Sequence, residues 1–211
     1  VSKSVIQIPN TIIRNEGVQL NAIEFVTLLF LKKLYFLSGN KDTFEIDPKK
    51  LMCHIGIGDN RTFKKIFNLL HKHGFILEEM KNMPRGKPLV VKLNKGKLEC
   101  KSGFTQLPTK LLDKVNEIGC VGVRLLYYYE SYINRKNNKV DFCYTSYETI
   151  TSALGIGKQT VSDTNQILVK CKYLKITKHQ LGTEYKYNND DVLMFEKWNN
   201  HYDVKLDKIK K

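Results

Sequence analysis

Ile6-Gln7-Ile8-Pro9 and Thr105-Gln106-Leu107-Pro108 stand 99 residues apart, and so do Gly56-Ile57-Gly58 and Gly155-Ile156-Gly157. Nearly fifty residues therefore keep register between the two matches. Beyond the glycines the spacing falls to 98, where Thr62-Phe63 meets Thr160-Val161, Leu70 meets Leu168 and Phe75-Ile76 meets Tyr173-Leu174. Duplication of one compact unit is the simplest reading. It divides the 211 residues into a first unit over 1–100, a second over 101–189 and a C-terminal helix with a basic tail over 190–211. Each unit is large enough to bury a modest core.

Net charge is +14, and both halves carry it. A basic pair of units favours a polyanionic partner, nucleic acid first and an anionic membrane surface second. Only Arg14, Arg61, Arg85, Arg124 and Arg135 are arginines, so most of the charge sits on lysines, suited to phosphate rather than to bidentate base contacts. No apolar run reaches membrane-spanning length and no signal pattern opens the chain, so a soluble, cytoplasmic protein is expected. A start at Val1 rather than Met points to a trimmed or partial chain. Cys53, Cys100, Cys120, Cys143 and Cys171 are scattered without a C-x-x-C, which fits unpaired thiols in a reducing compartment.

In the first unit, residues 20–37 are apolar on most faces and predict a buried central helix ended by Ser38-Gly39-Asn40. A short strand over 43–46 follows. Asp47-Pro48 then opens a helix to about His54, and Asp59 or Asn60 caps another that runs to His73. Residues 75–79, a loop over 81–87 and residues 89–93 predict a β-hairpin wing. The second unit repeats this order: a helix over 121–134, a strand over 140–144, a helix from Thr145 or Ser146, the Gly155 turn and a helix over 159–171. Strands over 174–177 and 184–187 around a turn at Gly182-Thr183 make its wing, and residues 190–202 predict an amphipathic helix.

Ser146-Tyr147-Glu148-Thr149-Ile150, then Leu154-Gly155-Ile156-Gly157 and Thr160-Val161-Ser162, resembles the helix-turn-helix of bacterial winged-helix DNA-binding domains. The layout of the whole chain is similar to plasmid and phage replication initiators built from winged-helix domains, and to tandem winged-helix transcription regulators. The resemblance implies an α+β, mainly helical fold of two tandem winged helix-turn-helix domains. It also implies that the helix after each turn enters the major groove of double-stranded DNA.

If Phe63, Ile66, Phe67 and Leu70 face the core, Asn60, Arg61, Lys64, Lys65, Asn68 and His71 lie outward. Arg61 is suited to guanine, Asn60 or Asn68 to adenine, and Lys64 and Lys65 to phosphates. Lys81, Arg85 and Lys87 at the wing tip are placed to reach a minor groove or the backbone. In the second unit Val161, Thr164 and Leu168 point inward, and Lys158, Gln159, Ser162, Asp163 and Gln166 outward. Asp163 would repel phosphates, so the first unit is expected to dominate phosphate affinity while the second adds sequence preference or mediates self-association. The consecutive Tyr127, Tyr128 and Tyr129 point in different directions on a helix and are expected to pack.

An enzyme is not expected. Gly155-Ile156-Gly157-Lys158-Gln159-Thr160 departs from a phosphate loop, whose first glycine would fall on Ser152 and whose hydroxyl residue would fall on Gln159. Neither His71-Lys72-His73 nor Cys53-His54 has the spacing of a closed metal site, and no cofactor is expected. The leading expectation is a sequence-specific, duplex-binding transcription regulator, with homodimerisation allowed for. A replication initiator binding origin repeats is the first alternative, and a chromosome-organising scaffold the second.

Overall fold

A computed structural model describes residues 4–84, 86–100, 103–136, 141–187 and 192–210. The fold is α+β and mainly helical, with three small two-stranded antiparallel sheets. Strand β1 (Val5–Pro9) leads into a single helical turn, α1 (Asn10–Ile13), and then into helix α2 (Ala22–Leu37). Asn21 and Glu24 form a reciprocal capping box at the start of α2, which satisfies two otherwise orphaned backbone amides. Strand β2 (Thr43–Ile46), helices α3 (Pro48–Ile55) and α4 (Asn60–Lys72), strand β3 (Leu89–Lys92) and the turn α5 (Lys95–Leu98) complete the first half.

The second half follows the same order. It runs through β4 (Phe104–Pro108), a 3-10 turn (Thr109–Lys114), α6 (Val115–Glu130), α7 (Tyr147–Leu154) and α8 (Lys158–Lys170). It ends with β5 (Leu174–Tyr187), β6 (Val192–Val204) and the turn α9 (Leu206–Ile209). Helix α6 is broken at Gly119, whose φ of 70° and ψ of 169° are not helical.

The strand pairings match residue by residue. In the first half Phe44 faces Val91 and Ile76 bridges Leu93; in the second Cys143 bridges Tyr202 and Leu174 faces Val204. Phe75 and Tyr173 also play the same part, their carbonyls accepting from the amides of Asn94 and Lys205, both at 2.9 Å. The two halves differ in how much of each ladder they keep: the first retains the pair β2·β3, and the second retains a long hairpin, β5·β6.

Three expectations are corrected here. Residues 75–79 form no strand, and β3 pairs with β2 instead. The chain leaves the ladder after Leu77 because Met80 turns into the core and the following loop contains Pro84 and Pro88, which have no amide hydrogen to give. Gly182 marks no turn but a register shift within the continuous strand β5, a common place for glycine. The expected C-terminal helix is strand β6: its aromatic and branched residues favour a pleated ladder, and Tyr202 and Val204 are buried in alternation with partly exposed His201 and Asp203. Of the strand expected over 140–144, Cys143 keeps one bridge, and Val140 lies outside the described residues, as does Asp190.

β1 and β4 pair with each other across the halves. Gln7 lies opposite Gln106, and its side-chain amide donates to Gln106 Oε1 at 3.1 Å. These are equivalent positions of the 99-residue spacing, so a local two-fold axis passes between them. The same relation recurs where α2 crosses α6. Phe25 and Arg124 are equivalent positions, and the Arg124 guanidinium lies 4.0 Å from the centre of the Phe25 ring. Tyr127 meets Phe25 edge-on at 5.4 Å and donates to the Ile6 carbonyl. Tyr127, Tyr128 and Tyr129 are all buried, as expected, and Tyr129 stacks on Tyr202 at 4.3 Å. The apolar core is one continuous cluster drawn from both halves.

Arg124 is fully buried. It donates to Asn15 Oδ1 at 2.6 Å and to the Ile12 carbonyl at 3.3 Å, while its Nε and Nη1 have no partner. Burial pushes its pKa down to about 9, so the charge remains at neutral pH. Asn15 Oδ1 also accepts from the Leu20 amide and would stay satisfied without the arginine. Arg124→Met is therefore expected to stabilise the fold by about 1–3 kcal/mol at pH 7, measured by denaturant unfolding. The native arginine releases its proton near pH 9, well before the unfolded chain does, so wild-type stability rises above that pH. The advantage of the variant should shrink correspondingly above pH 9; a destabilised variant at pH 7 would contradict this account.

Candidate nucleic-acid interface

Each half carries two helices joined at a glycine turn. Asp47 caps α3 by accepting from the amides of Lys49 and Lys50, and Pro48 supplies a preset φ in the first turn. Gly56 ends α3 with a φ of 73°, a left-handed conformation that a side chain would strain. In the second half Ser146 caps α7 through the Thr149 amide, and Gly155 ends it with a φ of 63°. The glycines that looked like part of a phosphate loop are thus turn residues between helices.

Asp59 caps α4, accepting from the Thr62 amide at 2.8 Å. Its hydrogen bonds from Thr62, backbone first, hold its carboxyl below the usual carboxylate range. Helix α4 buries Phe63, Ile66, Phe67 and Leu70, with the Phe63 and Phe67 ring centres 4.6 Å apart. That commitment turns Asn60, Arg61 and Lys65 outward, all three exposed.

Two other expected contacts of this helix are engaged within the protein. Lys64 donates to the Lys81 carbonyl at 2.6 Å. Asn68 accepts from the Met80 amide at 3.0 Å and donates toward the Met80 carbonyl and Glu79 at 3.4 Å. Its amide is therefore occupied in holding the 80–84 loop against α4, which removes it as a bidentate reader of adenine. Lys81 and Lys87 are exposed on that loop, and Arg85 lies outside the described residues. An open groove of about 950 Å³ runs between the starts of α3 and α4 and this loop, with Lys49, Asn60 and Lys87 along it and Asp47 at its edge. Lys49 was not picked out in the sequence; its place beside the cap Asp47 was the available signal.

The second half presents a different face. Helix α8 buries Val161, Thr164 and Leu168 and leaves Gln159, Asp163 and Gln166 exposed, with Ser162 half-buried. Lys158 is paired with Glu148 at 3.0 Å, and Gln159 donates to Asp163 at 2.7 Å. The Glu148 carboxyl is held below its ordinary range, first by its own backbone amide and then by Lys158. Ile167 and Val169 are each 43% exposed on the same helix. Its outer surface is thus less basic and more apolar than that of α4.

Among the described residues, no helix is long and apolar enough to cross a membrane, and no group of three or more His, Cys, Asp and Glu is placed to hold a metal. No protein-family model matches the sequence, and no curated protein is significantly similar to it.

The engagement of Asn68 separates structural from surface residues on α4. Asn68→Ala is expected to cost about 1–2 kcal/mol in denaturant unfolding, since it strands the Met80 amide. Lys65→Ala should change stability by no more than about 0.5 kcal/mol. Equal stability of the two variants would show that Asn68 does not anchor the loop.

Proposed function

We propose that this protein binds double-stranded DNA sequence-specifically through two winged helix-turn-helix units, with α4 and α8 as the helices that enter the major groove. One observation carries the reading. Twice, at equivalent positions, a capped helix, a left-handed glycine and a second helix of 13 residues recur, with the second helix committing one face to the core and turning the other out. That outward face of α4 carries Arg61, suited to guanine, beside Lys65, suited to phosphate. The long hairpin β5·β6 serves as the wing of the second half, and in the first half the loop over 80–84 that Asn68 holds against α4 stands in its place. The excess of positive charge supports the same partner.

The two faces divide the work. The first unit, with exposed cations at Arg61, Lys65, Lys81 and Lys87, supplies phosphate affinity. The second, where Lys158 is neutralised by Glu148, supplies sequence preference through Gln166 and Ser162 or an apolar contact through Ile167 and Val169. We assign the protein to transcription regulation. The local two-fold axis supports replication initiation as the second reading: one chain already presents two helices, so direct repeats at an origin can each be filled by a single copy. A regulator that works as a homodimer would instead select an inverted repeat.

Selection from a random duplex library tests this. Wild-type protein is expected to enrich a motif, and Arg61→Ala with Lys65→Ala should abolish the enrichment while leaving the thermal midpoint unchanged. The same pair should make the salt dependence of binding shallower by about 0.9 in log-log slope for each phosphate that the protein no longer neutralises. An arrangement as direct repeats selects the initiator, and an inverted repeat selects the regulator. Failure of the wild-type protein to bind any duplex at moderate salt would refute the proposal.

A further inference from the structure

At the far end of α8 lies a second basic surface whose lysines the proposed reading does not use. Val169, Lys172, Lys175, Lys205 and Lys208 line an open groove of about 500 Å³ between the end of α8, the start of β5 and α9, with Asp207 also on its wall. Lys205 is ion-paired with Asp203, and Lys208 lies 3.6 Å from Asp207. Lys172 and Lys175 are exposed and have no ion-pair partner among the described residues.

Two observations set this groove apart from a lysine-rich background. First, the matching strand registers place Lys172, Lys175, Lys205 and Lys208 at the positions of Gly74, Leu77, Asn94 and Lys97 in the first half. Four cations stand where the other unit has one. Second, Lys172 has a φ of 63°, and its counterpart Gly74 has a φ of 77°. The position calls for a left-handed residue, which glycine adopts without strain and lysine does not. A lysine held there keeps a cation at the groove against its own backbone preference.

We propose that this groove binds the phosphodiester backbone of duplex DNA outside the segment that α8 reads. The inference rests on the DNA-binding reading and extends it. Helix α8 has 13 residues, so its ends lie about 20 Å apart, and the groove sits at the end opposite Lys158. Lys172 lies six residues beyond Gln166, the last polar residue with which α8 is read to meet the groove. Flanking DNA reaches it by bending around the second unit, and phosphate contacts made by lysine need no particular sequence there.

The test is a lysine-acetylation footprint of the full chain, read by mass spectrometry, with duplexes of about 20 and about 60 base pairs, roughly two and six helical turns. Lys65 is expected to be protected by both, and Lys172 and Lys175 at least about fivefold by the long duplex alone, as flanking phosphates are engaged. Lys172→Gln with Lys175→Gln should weaken binding to the long duplex about tenfold and leave the short one unchanged, consistent with two phosphate contacts. Lys172→Gly, which relieves the backbone, should raise the thermal midpoint and still weaken long-duplex binding. If Lys65 is protected while Lys172 and Lys175 react at the free rate, the inference fails and the groove is left to an acidic protein surface. If Lys65 is not protected by either duplex, the DNA-binding reading fails, and this inference with it.

Discussion

The crossing of α2 and α6 at the local two-fold axis is the constraint on which the molecule depends. Phe25 from one helix meets Arg124 and Tyr127 from the other, and the paired strands β1 and β4 continue the same axis through Gln7 and Gln106. An arginine is an unusual choice for such a place. It is compensated by the Phe25 face, one carboxamide oxygen and one carbonyl, and no carboxylate among the described residues shares the site. Its partner Asn15 also donates to the Ala153 carbonyl of α7 at 3.0 Å, so this polar cluster joins both central helices to α7. Arg14 adds a neighbouring tie, donating to Ser131 and lying 4.0 Å from the centre of the Tyr132 ring. Buried polar contacts of this kind fix one orientation where an all-apolar seam would tolerate several.

With the two halves locked in one core, the outer helices have no freedom to choose their faces. Phe63, Ile66, Phe67 and Leu70 hold α4 in rotation, and Val161, Thr164 and Leu168 hold α8. What each helix offers outside is set by the residues left over. The two halves have used this common frame differently: the first keeps a short sheet under a loop pinned by Asn68, and the second projects a long hairpin from β5 and β6. Our reading gives the first half the phosphate contacts and the second a more selective surface.

Much of this was legible in the sequence because it depends on local chemistry. The caps at Asp47, Asp59 and Ser146 and the left-handed glycines 56 and 155 place four helices to within a residue or two. Helical periodicity likewise gave the buried face of α4. The errors arose where tertiary pairing decides. The apolar residues of 192–204 satisfy a helical spacing as well as a strand, and only their partner β5 makes them a strand. Gly182 resembles a turn residue until the ladder is seen to continue past it. Residues 75–79 look like a strand, yet Asn68 draws Met80 inward and ends the pairing. Among the candidate site residues, exposure was foreseen for Asn60, Arg61 and Lys65. The engagement of Lys64, Asn68, Lys158 and Gln159 with other residues of the protein was not, because helical periodicity gives a residue's face and not its hydrogen-bond partner.

The central claim is that one chain offers both of its outer helices to a single duplex. A hydroxyl-radical footprint at one chain per selected site tests it most directly. The account predicts two protected segments on the same face of the duplex, with Arg61→Ala and Lys65→Ala removing one and Ser162→Ala and Gln166→Ala weakening the other. A single protected segment for each bound chain, unaffected by changes in α8, would contradict it.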